Sequence, residues 1–250
     1  MLKTFKLALG AALIAASQLA AADVAEVKVS DVTLSVAGGW YYMPVEVNWR
    51  SLTAGTSVGL QNPSFLDSMT AWHGRVAGSS VIDGASSAMA SLTARTAGDH
   101  LEGVTAQAKV DVSGGQAGWS FANVLDNQIL VAVGATITFS MKLDSLLASG
   151  GMSQGNAYIE LCSTDFTTDT CLPENYAEAV VFGDSAYSGP SILTASWTNP
   201  SATENSWAKV RISLSASADS VSAVPEPSTY ALWLAGLASV GALARRRRRD

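Results

Sequence analysis

Ser153 stands in Gly151-Met152-Ser153-Gln154-Gly155, the G-x-S-x-G spacing of a nucleophile elbow. A serine in that turn needs a histidine as base, and in hydrolases built this way the histidine follows the serine. The chain's two histidines, His73 and His100, both precede Ser153. The surrounding run is a Ser/Gly loop between strand-like segments, so it reads as a turn. The histidines fall in different segments, beside Trp72 and Asp99, and a lone loop histidine is usually just solvated. Asp165 and Asp169 offer oxygen ligands of the kind Ca²⁺ takes, although such pairs are more often solvated loop residues. Paired carboxylates for glycoside hydrolysis are set by distance in space, and spacing along the chain does not show them. The sequence holds no phosphate-binding loop, zinc-ligand cluster or EF-hand loop. It therefore assigns no catalytic residue and no metal ligand.

Two other groups of residues can do chemistry. Cys162 and Cys171 are the only cysteines, and they close the polar run C-S-T-D-F-T-T-D-T-C. In an exported chain such a pair reads as a disulfide, because the periplasm and cell surface are oxidising. Metal binding by the pair has no histidine nearby to support it. Trp207 shares the polar side of its segment with Lys209 and Arg211, and Tyr158 shares its own with Glu160. A ring presented that way can stack on a sugar's C–H face while its neighbours bond the hydroxyls. The competing reading, that these rings pack under a loop, is the commoner case. Trp40, Trp49, Trp72, Trp119 and Trp197 are expected in the core or at its edge.

The elements that must carry these residues are short strands. Apolar and polar residues mostly alternate through Val27–Val36, with one break at Ser30-Asp31, and again through Pro44–Trp49. Ile137, Phe139, Met141 and Leu143 share one face, with Thr136, Thr138, Ser140 and Lys142 on the other. Ala157–Leu161, Ala179–Phe182 and Ile192–Trp197 follow. Trp207–Leu214 closes the set, with Ala208, Val210, Ile212 and Leu214 inward. Period-two alternation with one wet face predicts an all-β fold, an antiparallel β-sandwich or jelly roll. The region around Gly78–Gly98 is Ala/Ser-rich and ambiguous. The expected body is one domain, residues 23–214, with Ser215–Ala223 as a Ser/Ala-rich linker.

Both ends read as export signals. Lys3 and Lys6 precede an apolar run, Leu7–Ala16, and Ala20-Ala21-Ala22 supplies a small-residue cleavage site. Residues 1–22 are thus read as a signal peptide, cut before Asp23. At the other end, residues 224–250 contain Pro225-Glu226-Pro227, an uncharged span and the block Arg245, Arg246, Arg247, Arg248 and Arg249. A transmembrane helix over residues 229–244 would span roughly 24 Å at about 1.5 Å per residue. That is short for a hydrocarbon core of about 30 Å. Tyr230 and Trp233 suit the interface, and the arginines hold the chain end in the cytoplasm. Of fifteen basic residues, seven lie in these two ends, and of twenty-one acidic residues, two do; the body is left near −11. Such a surface repels phosphate backbones and anionic lipid, so nucleic acid is not an expected partner.

The order Pro-Glu-Pro, weak apolar span, arginine cluster resembles the PEP-CTERM sorting domain of Gram-negative bacteria. The resemblance implies recognition by an exosortase, a membrane-embedded cysteine transpeptidase, with Pro225, Glu226 and Pro227 as the recognition residues. It also implies an exopolysaccharide-making cell and a precursor held in the cytoplasmic membrane until it is processed for the surface or extracellular matrix. Two prolines keep the motif extended, as a protease substrate must be. An uncleaved tail anchor is the plainer alternative. A second resemblance covers residues 60–220. Asn62-Pro-Ser-Phe65 with Ala71-Trp72, the strand after Gly134-Ala-Thr136, and Trp207–Leu214 are similar to carbohydrate-binding-type jelly rolls. That likeness implies a glycan-interacting sandwich with room for a structural Ca²⁺ and no other cofactor. The closing "D-N-V-x-V" strand of those domains is replaced here by Asp219-Ser-Val-Ser-Ala223. The functional expectation is a non-enzymatic, exported structural or glycan-interacting protein; the alternative is a secreted polysaccharide-active enzyme using paired carboxylates.

Overall fold

A computed structural model describes residues 22–42, 53–61, 66–72, 76–93, 104–163, 175–220 and 236–237. Residues 21–220 form one compact unit, and the two chain ends group separately from it. The body is built of β1 (Asp23–Ala37), β2 (Tyr41–Tyr42), β3 (Thr53–Leu60), β4 (Leu66–Trp72), β5 (Val76–Asp83), β6 (Ser86–Thr93) and β7 (Thr105–Val112). It continues with β8 (Ala117–Val131), β9 (Thr136–Ser149), β10 (Gln154–Ser163), β11 (Tyr176–Phe182), β12 (Ile192–Thr198) and β13 (Ser206–Asp219). Two antiparallel sheets result. Sheet A runs β12-β9-β1-β7-β6-β5, and sheet B runs β11-β10-β13-β8-β3-β4, with β2 added against β8.

Alternation explains the layers. In β9, Ile137, Phe139 and Met141 are wholly buried while Thr136, Thr138 and Ser140 face out. In β13, every second residue from Ala208 to Ala218 is buried. These inward faces meet in one core, whose largest members include Phe139, Ile137, Ile159, Leu161 and Ile212. Much of the remaining core is Ala and Val, so the bulky side chains supply most of the apolar area removed from water. Two of the polar contacts inside cross the layers. Thr56 of β3 and Ser79 of β5 bond through their hydroxyls at 2.9 Å, and Ser120 of β8 donates to the Met89 carbonyl of β6 at 2.7 Å.

The break in alternation at Ser30-Asp31 is a β-bulge. Pairing of β1 with β9 shifts register between Ser30 and Thr33, and Asp31 adopts φ 51°. The bulge lets Val29 and Val32 both point inward, where each is fully buried. Aspartate is among the few residues that tolerate that conformation. The ambiguous Ala/Ser-rich region resolves into the β5–β6 hairpin. Its two-residue loop has Gly84 at φ 60° in first position, the glycine a tight hairpin of this kind requires.

The linker expectation needs correction. β13 continues through Ser215 to Asp219, so only the end of the expected 215–223 stretch lies beyond the strand. Ser-Ala-Ser-Ala looks like a linker by composition but alternates like a strand. Ala216 and Ala218 are 1% and 2% exposed, and their methyls close against the opposite sheet. Asp219 itself pairs with Ala117, so it belongs to the body. Expected strand Pro44–Trp49, and the motif Asn62–Phe65, lie outside the described residues.

Candidate functional site

Ser153 sits in a turn, not an elbow. Its hydroxyl donates to the Gly150 carbonyl at 2.9 Å and its N–H bonds the same oxygen, capping the connection from β9 to β10. His73, His100, Asp165 and Asp169 lie outside the described residues. Cys162 is completely buried in β10, and no cysteine among the described residues is free. Its expected partner Cys171 lies outside them.

The outward faces of the two sheets differ in chemistry. On sheet A, hydroxyls pair with one another across β9 and β12: Thr136 with Thr198 at 2.8 Å, Thr138 with Ser196 at 2.9 Å, and Ser140 with Thr194 at 3.1 Å. Their hydrogen-bonding capacity is partly spent on each other. On sheet B the outward face instead mixes rings, amides and charges, and β13 runs through its middle.

Four cross-strand rows define that face. Ser213 of β13 lies between Tyr158 of β10 and Asn123 of β8; Ser215 lies between Asn156 and Phe121; Ser217 lies between Gln154 and Trp119. One row along, Arg211 lies opposite Glu160, and the two form an ion pair at 3.6 Å. Outside β10 comes β11, which places Glu178 opposite Tyr158 and Tyr176 opposite Glu160. The three serines are smaller than their neighbours on β10 and β8. They form the floor of a trough whose walls stand one strand to either side. Two strand spacings make it about 10 Å wide, and four residues of β13 make it roughly 13 Å long.

Both walls carry aromatic pairs. Tyr158 and Tyr176 have ring centroids 5.8 Å apart, tilted at 39°, and Trp119 and Phe121 are 5.5 Å apart at 45°. Polar groups fill the spaces between. The Asn156 amide donates to Glu178 Oε1 at 2.6 Å, and the Ser213 hydroxyl donates to Asn123 Oδ1. Partial burial, with the hydrogen bond to Glu178 and then the charges of Glu178 and its neighbours, raises the Tyr176 phenol well above its ordinary range. The phenol therefore remains a neutral donor at any physiological pH.

This geometry moves several expected residues. Trp207 does share the outward side of β13 with Lys209 and Arg211, and it is half-buried there. It is six residues from Ser213, roughly 20 Å along the strand, so Trp207 and Tyr158 do not belong to one patch. Trp197 is in the core, as expected, at 5% exposed. Trp119 is not: it alternates with buried Gly118 and Ser120 and so stands on the outer face. Trp40 is 51% exposed rather than core. The side chains of Trp49 and Trp72 lie outside the described residues. Phe121, Trp119 and Tyr176 were the rings that sequence reasoning missed as surface candidates. For the first two, the alternation Gly118–Val124 carried the signal.

Among the described residues the outward face of sheet B thus gathers rings, amides and charges, and the tail carries the more specific signal. The family model of the PEP-CTERM protein-sorting motif matches residues 223–249. The C-terminal segment is a PEP-CTERM sorting motif. It spans about a tenth of the chain and includes Pro225, Glu226, Pro227 and Arg245–Arg249. The motif marks an exosortase-targeted, secreted protein whose precursor is held in the membrane before processing. No curated protein and no solved structure matches the chain. Among the described residues no helix is long and apolar enough to cross a membrane. Of the expected helix 229–244, only Gly236 and Leu237 are described, and both are helical. The remainder of the PEP-CTERM segment, and residues 1–21 of the expected signal peptide 1–22, lie outside the described residues.

Proposed function

We propose that the chain is a non-enzymatic component of the cell envelope or extracellular matrix, which its sorting motif delivers and whose body meets exopolysaccharide. The leader in residues 1–22 starts export, and exosortase releases the membrane-held precursor by cutting near Pro225–Pro227. The observation that carries the glycan reading is the serine-floored trough on sheet B. Rings at its walls offer faces to sugar C–H groups, and Asn123, Asn156, Tyr158 and Tyr176 offer hydrogen bonds to hydroxyls. The trough's dimensions suit a chain of sugar rings lying along β13. The body's charge near −11 favours an uncharged glycan over a uronate-rich one. Trp207 offers a second, separate contact along the same strand. A structural Ca²⁺ held by the carboxylate oxygens of Asp165 and Asp169 belongs to the same proposal.

Affinity electrophoresis of the mature protein in gels containing the host's own exopolysaccharide tests this. The mature protein is expected to be retarded, and Trp119→Ala or Tyr158→Ala to weaken retardation about tenfold, since a stacked ring contributes on the order of 1 kcal/mol or more. Equal mobility with and without every neutral polysaccharide tried would remove the reading. Among the described residues, a carboxylate pair on this same face is what the enzymatic alternative can rest on. Glu160 and Glu178 are diagonal neighbours on adjacent strands, a relation that puts the two residues about 7–8 Å apart. Release of reducing ends, lost in Glu178→Gln, would favour it.

A further inference from the structure

A buried acid with one unpartnered oxygen stands at one end of the sandwich. Asp23 opens β1 opposite Val112 of β7, and it is 5% exposed. Its Oδ2 is buried and has no hydrogen-bond partner. Its carboxylate lies against Gly150, which has φ 97° and where a Cβ would fall 2.0 Å from Asp23 Oδ1. Only glycine leaves that space and accepts that backbone. Gly150 in turn donates its N–H to Asp184 Oδ1 at 2.7 Å. Asp219, the last residue of β13, completes the group. Burial first, then the charges of Asp184 and Asp219, push the Asp23 carboxyl above the usual carboxylate range. Among the described residues no positive group is seen to act on it. The ion pairs Lys109–Glu26, Lys142–Asp144 and Arg211–Glu160 all lie elsewhere. A buried carboxylate with neither cation nor full hydrogen bonding is costly.

The chain's own processing can supply the missing charge. Ala22 is exposed and immediately precedes the buried start of β1. Hydrolysis of the Ala22–Asp23 bond consumes one water, leaves a carboxylate on Ala22 and creates an α-amine on Asp23. With an ordinary pKa of about 7.7–8.0, that amine is mostly protonated at neutral pH. We propose that this new α-ammonium is the counter-charge of the Asp23–Asp184–Asp219 cluster, so that removal of the leader completes the end of the sandwich. Its three N–H donors match a buried, unpartnered carboxylate oxygen and two neighbouring acids. Before the cut the peptide nitrogen is neutral, and β1 begins with an unneutralised acid. After it, the same atom holds β1 in place. The proposal rests on the export reading and on a cut before Asp23.

The test uses the full chain exported and matured in its own host. N-terminal sequencing should find Asp23 first. Titration of the α-amine, by reductive methylation with ¹³C-formaldehyde followed by NMR, should place its pKa at least one unit above the ordinary value, a tenfold stabilisation of the charged form. Asp184→Asn with Asp219→Asn should return it to the ordinary range. One alanine inserted ahead of Asp23, so that the mature chain starts a residue earlier, should lower Tm at pH 7 by several degrees. That difference should vanish in the double variant. An ordinary α-amine pKa with no effect of the added alanine overturns the proposal. A different first residue in an exported protein overturns it while export stands, whereas a chain that keeps residues 1–22 removes the export reading itself. A Tm rise on adding Ca²⁺ that Asp184→Asn abolishes would give the cluster to a metal and contradict the ammonium.

Discussion

β13 and the PEP-CTERM segment are neighbours in the chain, and each specifies its role by a different physics. In β13 what matters is parity. Ala208, Val210, Ile212 and Leu214 are buried because they share one side of a strand, and another set of apolar residues on that side would keep the fold. In the tail what matters is order: a proline-bounded acid, an uncharged span, then five arginines. Its meaning is read by another protein and by the membrane, not by its own packing. The comparison teaches why the sequence announces an address while leaving the activity of the body to be built from geometry. A fold code tolerates substitution and so carries little functional detail, whereas an address code is short and strict.

The two codes should therefore separate under mutation. The largest effect is expected in the tail. Replacing Arg245–Arg249 by glutamines, or Pro225 and Pro227 by alanines, should abolish maturation, seen as accumulation of the membrane-bound precursor on immunoblots. The unfolding midpoint of the body should not move. A matched change in the body should do the reverse. Phe139→Ala empties the centre of β9 and should cost about 3–5 kcal/mol in urea unfolding, while the fraction of surviving chains that are processed stays constant. If core damage blocked processing of folded chains, or tail changes lowered body stability, the separation would fail.

Smaller changes sharpen the picture within the body. Asn199 is buried, and its amide donates to the carbonyls of Val131, Ala132 and Glu204 at 3.0, 3.1 and 3.0 Å. Asn199→Ala removes these bonds, leaving the Ala132 carbonyl only the Ala135 N–H at 3.0 Å, and should cost about 1–3 kcal/mol, measured as a shifted urea midpoint. If Cys162 pairs with Cys171, as we propose, mass spectrometry after alkylation without reductant finds neither modified, and Cys171→Ser costs about 2–3 kcal/mol. Alkylation of either in the exported protein would contradict the pairing. The smallest effect is at high pH. Tyr176 has its folded pKa raised, so its contribution is intact below the unfolded value near 10 and is lost as pH climbs toward the folded one. Absorbance titration near 295 nm should show a late-ionising phenol that disappears in Tyr176→Phe, while Tyr187, also raised by burial, is retained.

Much of the fold was legible because alternation survives without long-range information. Ile137, Phe139 and Met141 fell inward, and the interruption at Asp31 marked a real bulge. What was not legible depended on partners distant in sequence. Nothing local says that Ser215 lies between Asn156 and Phe121, so the trough on sheet B could not be seen from any one segment. Trp119 was misjudged because a large ring suggests a core, although its neighbours Gly118 and Ser120 already occupy the inward positions. Ser215–Asp219 was misjudged for the opposite reason: alanine and serine suggest a linker by composition, while their parity is that of a strand. The end of β1 shows the same limit, since Asp23, Asp184 and Asp219 meet only once three strand ends are brought together.

The central claim is that the PEP-CTERM segment is a transient address. Intact-mass spectrometry of the protein recovered from the cell surface or medium tests it most directly. The account predicts a mature chain ending near Pro225–Pro227, without Arg245–Arg249. A surface protein that still carried all five arginines would contradict it.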